Sequence, residues 1–337
     1  MKNDLFLKDE VYIIAEAGDS HLGNIDSAIK MVKLAKLSGA DCIKFQHHLP
    51  DEEMLPDSPI SDNFDEPLYD YLIRCALDIS QHKILKKICD EVNIDYLCTP
   101  FSWKAAQELN EIGVEYLKIG SGEMTDLPTL EKIAKLGKPM IVSTGMSTFE
   151  EIDRTYELLT SFNINIGLAN CISEYPPQYE DMNLNTINAM IDRYPKATIG
   201  HSDHTPDLYT SFAAVVLGAK FIEKHVILDK TQTGPDQSVS ISFSELHELV
   251  DGVRKIEKSL GDKKTIHKRE KQIREWAFRS LIFLRDMNPG EIIQENDIWS
   301  KRPGTGIPSY NLKKVVGMKL NKKVKKNSLV NWDDLDK

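Results

Sequence analysis

Residues 116–145 read YLKIGSGEMTDLPTLEKIAKLGKPMIVSTG and contain two short apolar runs separated by an amphipathic stretch. The runs at 116–119 and 140–143 are mostly apolar on both faces, which is typical of parallel strands covered by helices. The stretch near 126–136 has a helical pattern and is followed by Gly137, a common helix terminator. The segment therefore predicts one strand–helix–strand unit of a parallel α/β fold.

The same alternation covers about the first 260 residues, the length of a (β/α)8 barrel. Further strands are predicted at 11–15, 42–46, 94–98, 166–170, 198–202 and 221–225. Further helices are predicted near 25–35, 80–92, 102–112, 148–162, 184–194, 207–217 and 246–260. A doubly wound open sheet is the alternative, but no glycine-rich GxGxxG turn follows the first strand. We therefore expect an α/β barrel, a TIM barrel of eight strand–helix units.

The pattern changes after the barrel. Residues 259–279 are highly charged and predict a helical linker, and short strand-like pieces follow at 280–284, 291–293 and 315–317. We therefore expect three parts, which are a barrel over 1–260, a linker over 261–278 and a small domain over 279–337. A domain of about 60 residues is only marginally stable alone, so it could need a partner surface.

Composition limits the class of protein. Hydrophobic residues make up 41% and charged residues 28% of the chain, which argues against disorder. No apolar run approaches the ~20 residues that span a bilayer, and the N-terminus lacks the features of a secretion signal. The five cysteines are scattered without a CxxC pair, which predicts reduced thiols and a cytoplasmic location.

Charge is unevenly distributed along the chain. From residue 277 onward there are 12 Lys and Arg against 7 Asp and Glu, whereas the preceding part is strongly acidic. An acidic body argues against nucleic-acid binding. The basic tail could bind RNA, but it lacks regularly interleaved aromatic residues, and we prefer docking of the tail on the acidic body.

Polar residues gather at the carboxyl ends of the predicted strands, where barrel active sites lie. Lys44 and Lys118, together with nearby hydroxyls and small-residue turns, suit a phosphate or carboxylate ligand. The alternative is that the two lysines only pair with Glu16 and Glu123. The segment 51–78 is a long excursion after the second strand and is predicted to cover this end of the barrel.

Two histidines predict a metal site. His204 and His225 follow adjacent strands, so their imidazoles could converge on one Mn, Fe, Zn or Co ion. The alternative is a hydrogen-bonding pair without metal. An anion site beside a metal describes an enzyme that joins a phosphorylated enol, or a similar anion, to a carbonyl compound.

A set of motifs resembles a known family. In chain order they are IIAEAG, IKFQ, CTPFS, LKIGSGE, STGM, SEYPP, IGHSDHT, IEKHV, GPDQS and KRPGTGIP. Together they resemble the sialic acid (nonulosonic acid) synthases over nearly the whole chain. The last ~60 residues resemble the SAF, or antifreeze-like, domain of these enzymes, and this resemblance agrees with the small domain expected above.

The resemblance implies a reaction. Phosphoenolpyruvate condenses with the open-chain aldehyde of an N-acetylated hexosamine, with N-acetylmannosamine as the default, and phosphate leaves by C–O cleavage. The product is a nine-carbon 2-keto-3-deoxy acid. Alternatives are a diamino sugar, leading to legionaminic or pseudaminic acid, or a barrel deoxy-ketoulosonate-phosphate synthase. A non-enzymatic carbohydrate-binding role for the tail is a further alternative.

The resemblance also assigns roles. Phosphoenolpyruvate would be bound by Lys44, Thr99, Lys118, Ser121, Ser143, Ser173 and Ser202. The catalytic set would be Glu16, Glu123, Gln46 and Asp236, and the sugar would meet Tyr175, Asp236 and Arg302. His204 and His225 would bind a divalent metal, Mn²⁺ first, with Mg²⁺ or Co²⁺ as alternatives. Family members are domain-swapped homodimers, in which Arg302 would reach the partner's barrel. We expect neither nucleic acid nor membrane as a partner.

The sequence also departs from the family pattern. Ser20 and Leu22 replace two asparagines of the first loop, and Ser173 stands where some members have asparagine. These differences leave the reaction unchanged but make the sugar harder to assign.

Overall fold

The computed structural model describes residues 5–58 and 66–336, and the chain divides into two compact units, Met1–Gly261 and Asp262–Lys337. The first unit contains eight parallel strands that alternate with helices. These strands are β1 (Tyr12–Glu16), β2 (Cys42–His47), β3 (Asp95–Pro100), β4 (Leu117–Ile119), β5 (Met140–Ser143), β6 (Ile166–Cys171), β7 (Ala197–Asp203) and β8 (Phe221–Ile227). A two-residue strand, β9 (Ile241–Ser242), pairs with β8.

Backbone ladders join the eight strands in the order β3-β2-β1-β8-β7-β6-β5-β4. β1 therefore pairs with β8, and the two end strands, β3 and β4, also contact each other. This arrangement is a nearly closed parallel barrel, so the predicted α/β barrel is confirmed. The alternative of a doubly wound open sheet is wrong.

Strand periodicity explains both the core and the position of the polar residues. Along β1, Tyr12 and Ile14 face the barrel interior, whereas Ile13 and Ala15 pack in the larger core cluster with the helices. Successive side chains of a strand point to opposite faces. Glu16 is therefore the next inward residue and lies at the carboxyl end of the strand.

Ten helices lie among the described residues of the barrel unit, and all but the second and third form its outer layer. They are α1 (Ile25–Ser38), α2 (Pro50–Glu53), α3 (Leu68–Cys75), α4 (Ile79–Val92), α5 (Trp103–Glu111), α6 (Leu127–Ala134), α7 (Phe149–Thr160), α8 (Thr186–Arg193), α9 (Tyr209–Val216) and α10 (Phe243–Ser259). Short 3₁₀ helices lie at Tyr179–Asp181 and Gln237–Val239. Capping boxes at Asp78, Thr148 and Ser242 fix where α4, α7 and α10 begin.

The excursion after β2 contains α2 and α3. Leu68 and Leu72 of α3 line the cavity at the carboxyl end of the barrel, so the described part of this segment lies where it was expected. Residues 59–65 of the excursion lie outside the described residues.

The second unit is small and has its own apolar core. It contains α11 (Lys268–Ala277), an antiparallel pair formed by β10 (Ser280–Phe283) and β11 (Ile298–Lys301), and α12 (Leu312–Val315). Short 3₁₀ helices lie at Glu295–Asp297, Ser309–Asn311 and Trp332–Asp334. Its core is built from Leu281, Phe283, Met287, Ile293, Ile298, Ile307, Val315, Leu320, Val324, Val330 and Leu335.

Two predicted strands of the small domain are wrong. At 315–317 the chain leaves α12 and turns at Gly317, whose φ of +90° favours glycine. At 291–293 only an isolated bridge forms, between Ile292 and Lys319. β11, the true partner of β10, was not predicted because its side chains alternate between buried and exposed without an apolar run.

Two expectations about the whole chain can be compared with the structure. Among the described residues, no helix is both long and apolar enough to cross a bilayer. Cys42, Cys75, Cys89, Cys98 and Cys171 are all buried free thiols.

Candidate active site

A cavity of about 380 Å³ lies at the carboxyl ends of the barrel strands. Every barrel residue predicted for the site lines it. These residues are Glu16, Lys44, Gln46, Thr99, Lys118, Ser121, Glu123, Ser143, Ser173, Tyr175, Ser202, His204, His225 and Asp236. The topology of the barrel thus brings side chains that are up to 220 positions apart into one cavity.

The two lysines lie at the bottom of this cavity and are buried. Lys44 Nζ is 2.7 Å from Glu16 Oε2 and donates a 3.1 Å hydrogen bond to Thr99 Oγ1. Lys118 Nζ donates a 2.6 Å hydrogen bond to Ser143 Oγ. Lys44 thus makes the contact with Glu16 that the alternative expected, and it also lines the cavity.

The carboxylate partner of Lys118 is Glu223, not Glu123. Glu223 Oε1 lies 3.5 Å from the Nζ atoms of both Lys44 and Lys118, and Ser202 Oγ donates to it at 3.3 Å. Burial disfavours the charged carboxylate, but Lys118 and Lys44 together hold the pKa of Glu223 well below its usual range.

Glu223 is the main site residue that the sequence analysis missed. It lies two positions before His225 on β8, so both side chains must point to the same face of the strand. Phe221, two positions earlier, belongs to the inward cluster of the barrel. The alternation Phe221, Glu223, His225 was therefore a usable signal.

The two lysines differ in how completely their charges are balanced. Burial opposes the charged form of Lys44, but Glu16 and Glu223 raise the pKa of its ammonium above the usual value. Burial lowers the pKa of Lys118, and repulsion from Lys44 adds to this despite the attraction of Glu223. An added anion would therefore stabilise the charged form of Lys118 more than that of Lys44.

Small residues let hydroxyl groups crowd the wall beside Lys118. The backbone N–H of Gly145 donates a 3.1 Å hydrogen bond to Ser121 Oγ. A Cβ atom at Gly145 would collide with Ser173 Oγ and Ser121 Oγ. The close approach of these groups therefore requires glycine at this position.

The two predicted metal ligands lie side by side in the same cavity. The ring centroids of His204 and His225 are 5.3 Å apart, and Tyr175 stacks on His204 at 4.3 Å. His204 Nδ1 is 2.7 Å from the carbonyl oxygen of Ile172, which can only accept, so Nδ1 carries a proton. The Nε2 lone pair of the neutral ring remains available.

These residues fit an open metal site. Nδ1 of His225 is buried without a hydrogen bond and lies 3.4 Å from Asp236 Oδ2. Across residues 5–58 and 66–336, no three His, Cys, Asp or Glu side chains form a coordination sphere on their own. Two imidazoles supply fewer donors than the four of a structural zinc site or the three of a catalytic one, so water and substrate oxygens would have to complete the sphere.

Two carboxyl groups of the cavity have unusual acidity. Burial raises the pKa of Glu123 to about 6, and Glu123 Oε2 has no hydrogen-bond partner. Burial also raises the pKa of Asp19 to about 6, helped by Asp236 and Glu16 and opposed by His48. Asp19 was not among the predicted site residues, and it also lines this cavity.

The adjacent histidines at the end of β2, His47 and His48, carried no predicted role and point in different directions. His48 lines the cavity and stacks on Phe101 at 4.1 Å. His47 Nε2 is 2.9 Å from Glu108 Oε2 on the helix-facing side.

Arg302 belongs to the second unit and has an exposed side chain. Its Nε atom donates a 3.0 Å hydrogen bond to the carbonyl oxygen of Ala277, and its guanidinium lies 5.5 Å from the Trp276 ring centroid. Its predicted contact with a partner's sugar stays a prediction.

Comparison with known proteins places the chain in a family. Residues 31–265 match the NeuB family model, and residues 278–336 match the SAF domain model. The N,N'-diacetyllegionaminic acid synthase of Campylobacter jejuni is 37% identical over 94% of this chain and 98% of that protein. The human N-acetylneuraminate-9-phosphate synthase is 36% identical over 74% of this chain and 71% of that protein.

A solved structure agrees with this. The N-acetylneuraminic acid synthetase of Leptospira borgpetersenii, in complex with citrate, superposes with a TM-score of 0.70. It is 31% identical, and the match covers 79% of this chain and 90% of that chain. The predicted resemblance, including the SAF domain, is thereby confirmed. The chain is an enzyme and belongs to the NeuB family.

Proposed function

We propose that this enzyme condenses phosphoenolpyruvate with the open-chain aldehyde of an N-acylated hexosamine. C3 of the enol forms a bond to the aldehyde carbon, water adds its oxygen at C2, and phosphate leaves as the C2–O bond breaks. The observation that carries the proposal is the buried pair Lys44 and Lys118 in the same cavity as His204 and His225. The first pair suits a phosphorylated enol, and the second suits a carbonyl compound.

Binding of the anion follows from the charges of the cavity. Lys118 is the incompletely balanced cation, and its neighbours Ser143, Ser121 and Ser173 offer hydroxyl donors to phosphate or carboxylate oxygens. Lys44, Thr99 and Ser202, which also line the cavity, complete the set. A buried cation with neutral donors around it favours an anion more strongly than the same groups would in water.

His204 and His225 would hold a divalent metal, with Mn²⁺ proposed first and Mg²⁺ or Co²⁺ as alternatives. When bound, such an ion polarises a carbonyl oxygen and so makes the aldehyde carbon more electrophilic. The hydrogen bond from His204 Nδ1 to Ile172 orients that ring, and Asp236 lies next to His225. Tyr175 and Asp236 would then face the sugar.

Glu16 and Glu123 have different environments in the cavity, so they suit different roles in proton transfer. Glu16 is bound on one oxygen by Lys44 and on the other by Gln46, so it suits a fixed anion that orients its neighbours. Glu123 has a free carboxyl oxygen and a pKa near 6, so it can exchange a proton near neutral pH. We assign the proton transfer from the attacking water to Glu123.

Two sugars are proposed, because the relatives are named for different products. The Campylobacter relative is named for legionaminic acid, and the Leptospira structure is named for sialic acid. We propose N-acetylmannosamine as the default and a diacetamido sugar as the alternative. The residues of the cavity named above accept either, since both carry an aldehyde and an acylamino group.

The functional assembly proposed is a homodimer in the cytoplasm. The match to the SAF domain and the exposure of Arg302 support a tail that acts on a partner's barrel. The five buried free thiols suit a reducing compartment.

The test is release of phosphate from phosphoenolpyruvate by the purified full chain with Mn²⁺. N-acetylmannosamine, a 2,4-diacetamido hexose and a phosphorylated aldose are supplied in separate reactions, and mass spectrometry identifies the keto acid. Turnover with an unphosphorylated amino sugar is expected. Turnover with the phosphorylated aldose alone would instead support a deoxy-ketoulosonate-phosphate synthase, and turnover with none would refute the proposal.

A further inference from the structure

We propose that His48 is a positioning residue, held as an imidazolium between Glu53 and Gln46 so that the Gln46 amide keeps its NH₂ group toward Glu16. The charge state follows from hydrogen-bond geometry alone. Its consequence for turnover rests on the proposed function above. Neither His48 nor its neighbour His47 carried a predicted role, and of the two His48 has this pair of contacts in the cavity.

The chain of contacts starts at Glu16. Its Oε2 atom is 2.7 Å from the Lys44 ammonium, a contact that stabilises the ionised carboxylate. An ionised carboxylate only accepts hydrogen bonds. The Gln46 side chain lies 2.9 Å from Glu16 Oε1, so the atom facing Glu16 must be the Nε2 donor. This fixes the orientation of the amide, which is otherwise ambiguous.

The Gln46 carbonyl oxygen then faces His48. His48 Nε2 lies 2.9 Å from Gln46 Oε1, which accepts and cannot donate. On the other side of the ring, His48 Nδ1 lies 2.9 and 3.2 Å from the two carboxylate oxygens of Glu53. Both ring nitrogens therefore face acceptors. A neutral imidazole has one N–H and would leave one lone pair against another, whereas the imidazolium satisfies both contacts.

The surroundings support the charged ring. Burial disfavours the imidazolium, but Glu53, Asp19 and Glu123 outweigh it and raise the pKa of His48 above the usual value. The side chain of Glu53 is itself buried. The titratable groups around the ring come from six elements or loops and are Glu16, Asp19, His21, His47, Glu53, His82 and Glu123. The three histidines oppose the charge, and the carboxylates favour it.

The contacts form one chain of polar groups from Glu53 through His48, Gln46 and Glu16 to Lys44. If His48 loses its proton from Nε2, the lone pair repels the Gln46 oxygen, and a rotation of the amide by 180° relieves this. The rotated amide then turns its oxygen toward the Glu16 carboxylate. His48 thus acts on the substrate site through Gln46, without touching the reacting atoms.

The charge state is tested by NMR on the full chain with ¹⁵N-labelled histidine, with His48→Gln used to assign the signals. Both His48 nitrogens are expected to be protonated at pH 7.5. In Glu53→Gln the carboxylate is lost, so the pKa of His48 should fall and one nitrogen should lose its proton at the same pH. A wild-type His48 with a single protonated nitrogen at pH 7 would overturn the proposal.

The positioning role is tested by a matched pair of neutral variants. His48→Gln can place its NH₂ group near the Nε2 position and still donate to Gln46, whereas His48→Asn reaches only the Nδ1 position. We expect kcat/KM for the sugar to fall about tenfold in His48→Asn, the cost of about one buried hydrogen bond. His48→Gln should recover most of this loss. Equal loss in both variants, with equal melting temperatures, would contradict positioning through Gln46.

The NMR and kinetic measurements distinguish failure of this inference from failure of the proposed function. If wild-type protein shows no turnover with phosphoenolpyruvate and any amino sugar, the proposed function fails, and the NMR result still decides the charge of His48. If turnover is present and His48 is neutral, only the present inference fails.

Discussion

Lys118 Nζ lies 3.5 Å from Glu223 Oε1 at the bottom of the barrel cavity, and both side chains are almost completely buried. Without this carboxylate, Lys44 would keep its ion pair with Glu16, whereas Lys118 would have no ion-pair partner among the described residues. Removal of one member of a buried ionic group leaves uncompensated charge, which costs several kcal/mol. The geometry therefore makes Glu223 the group on which the charge balance of the site depends.

We expect Glu223→Gln to lower the free energy of unfolding by about 3 kcal/mol in the absence of ligand. Phosphoenolpyruvate should raise the melting temperature of this variant more than that of the wild type, because the anion replaces the missing charge. Thermal melts with and without phosphoenolpyruvate measure both effects. The exposed Glu157→Gln is the control, and a variant that melts like it in both conditions would contradict the assignment.

The raised pKa of Asp19 predicts that the free energy of unfolding depends on pH. Its pKa is raised from 3.8 to about 6, so the folded state binds its proton more tightly than the unfolded state does. The stabilising contribution is full below about pH 4 and is lost as pH rises through 6. At pH 8, Asp19→Asn should therefore unfold with a free energy up to about 3 kcal/mol higher than wild type.

Denaturant unfolding at pH 4 and pH 8 checks this sign. The difference between Asp19→Asn and wild type should be present at pH 8 and nearly absent at pH 4. Asp192→Asn, at an exposed position of α8, should show no such dependence. A variant that is less stable than wild type at pH 8 would show that the carboxylate is stabilised by contacts in the cavity.

Binding of the metal can be measured without turnover. Mn²⁺ added to chelator-treated protein should give an EPR signal of bound ion, and His225→Ala should weaken the binding at least about tenfold. Phosphate release should stop in chelator and return with Mn²⁺. Full turnover in chelator, with no bound-ion signal, would leave His204 and His225 as a hydrogen-bonding pair.

Arg302 can be tested by complementation between subunits. Arg302→Ala should raise the KM of the sugar more than that of phosphoenolpyruvate. In a swapped dimer, mixing Arg302→Ala chains with Lys118→Ala chains restores one site with both wild-type residues. We therefore expect activity to return on mixing and exchange. Equal changes in both KM values, or no recovery in proven heterodimers, would count against the swapped arrangement.

Most of the barrel and its site follow from simple periodicities in the sequence. The period of two along each strand places Glu16, Lys44 and His225 on inward faces, and the barrel rule places them at one end. His48 is an even number of positions from Lys44, so the same period places His48 inward and His47 outward. This difference was not used to predict a role for either histidine.

The sequence could not predict which charged side chains contact each other. Which carboxylate reaches Lys118 depends on the stagger of β4 against β8 across the barrel, and spacing along the chain carries no information about that distance. Glu223 rather than Glu123 is the partner for this reason. The small domain was also predicted less well, because its strands are short and much of its pairing consists of isolated bridges such as Ile282 with Leu329.

The order of the backbone ladders has a mechanical consequence. β3 and β4 are the two ends of the ladder order, so side-chain packing rather than interstrand backbone bonding holds this junction of the described barrel. The ring therefore has one seam, and it runs between the strands that carry Thr99 and Lys118. Amide protons along the seam should exchange with solvent faster than those at the other junctions. A ligand that contacts both Thr99 and Lys118 should hold the two strands together and slow this exchange.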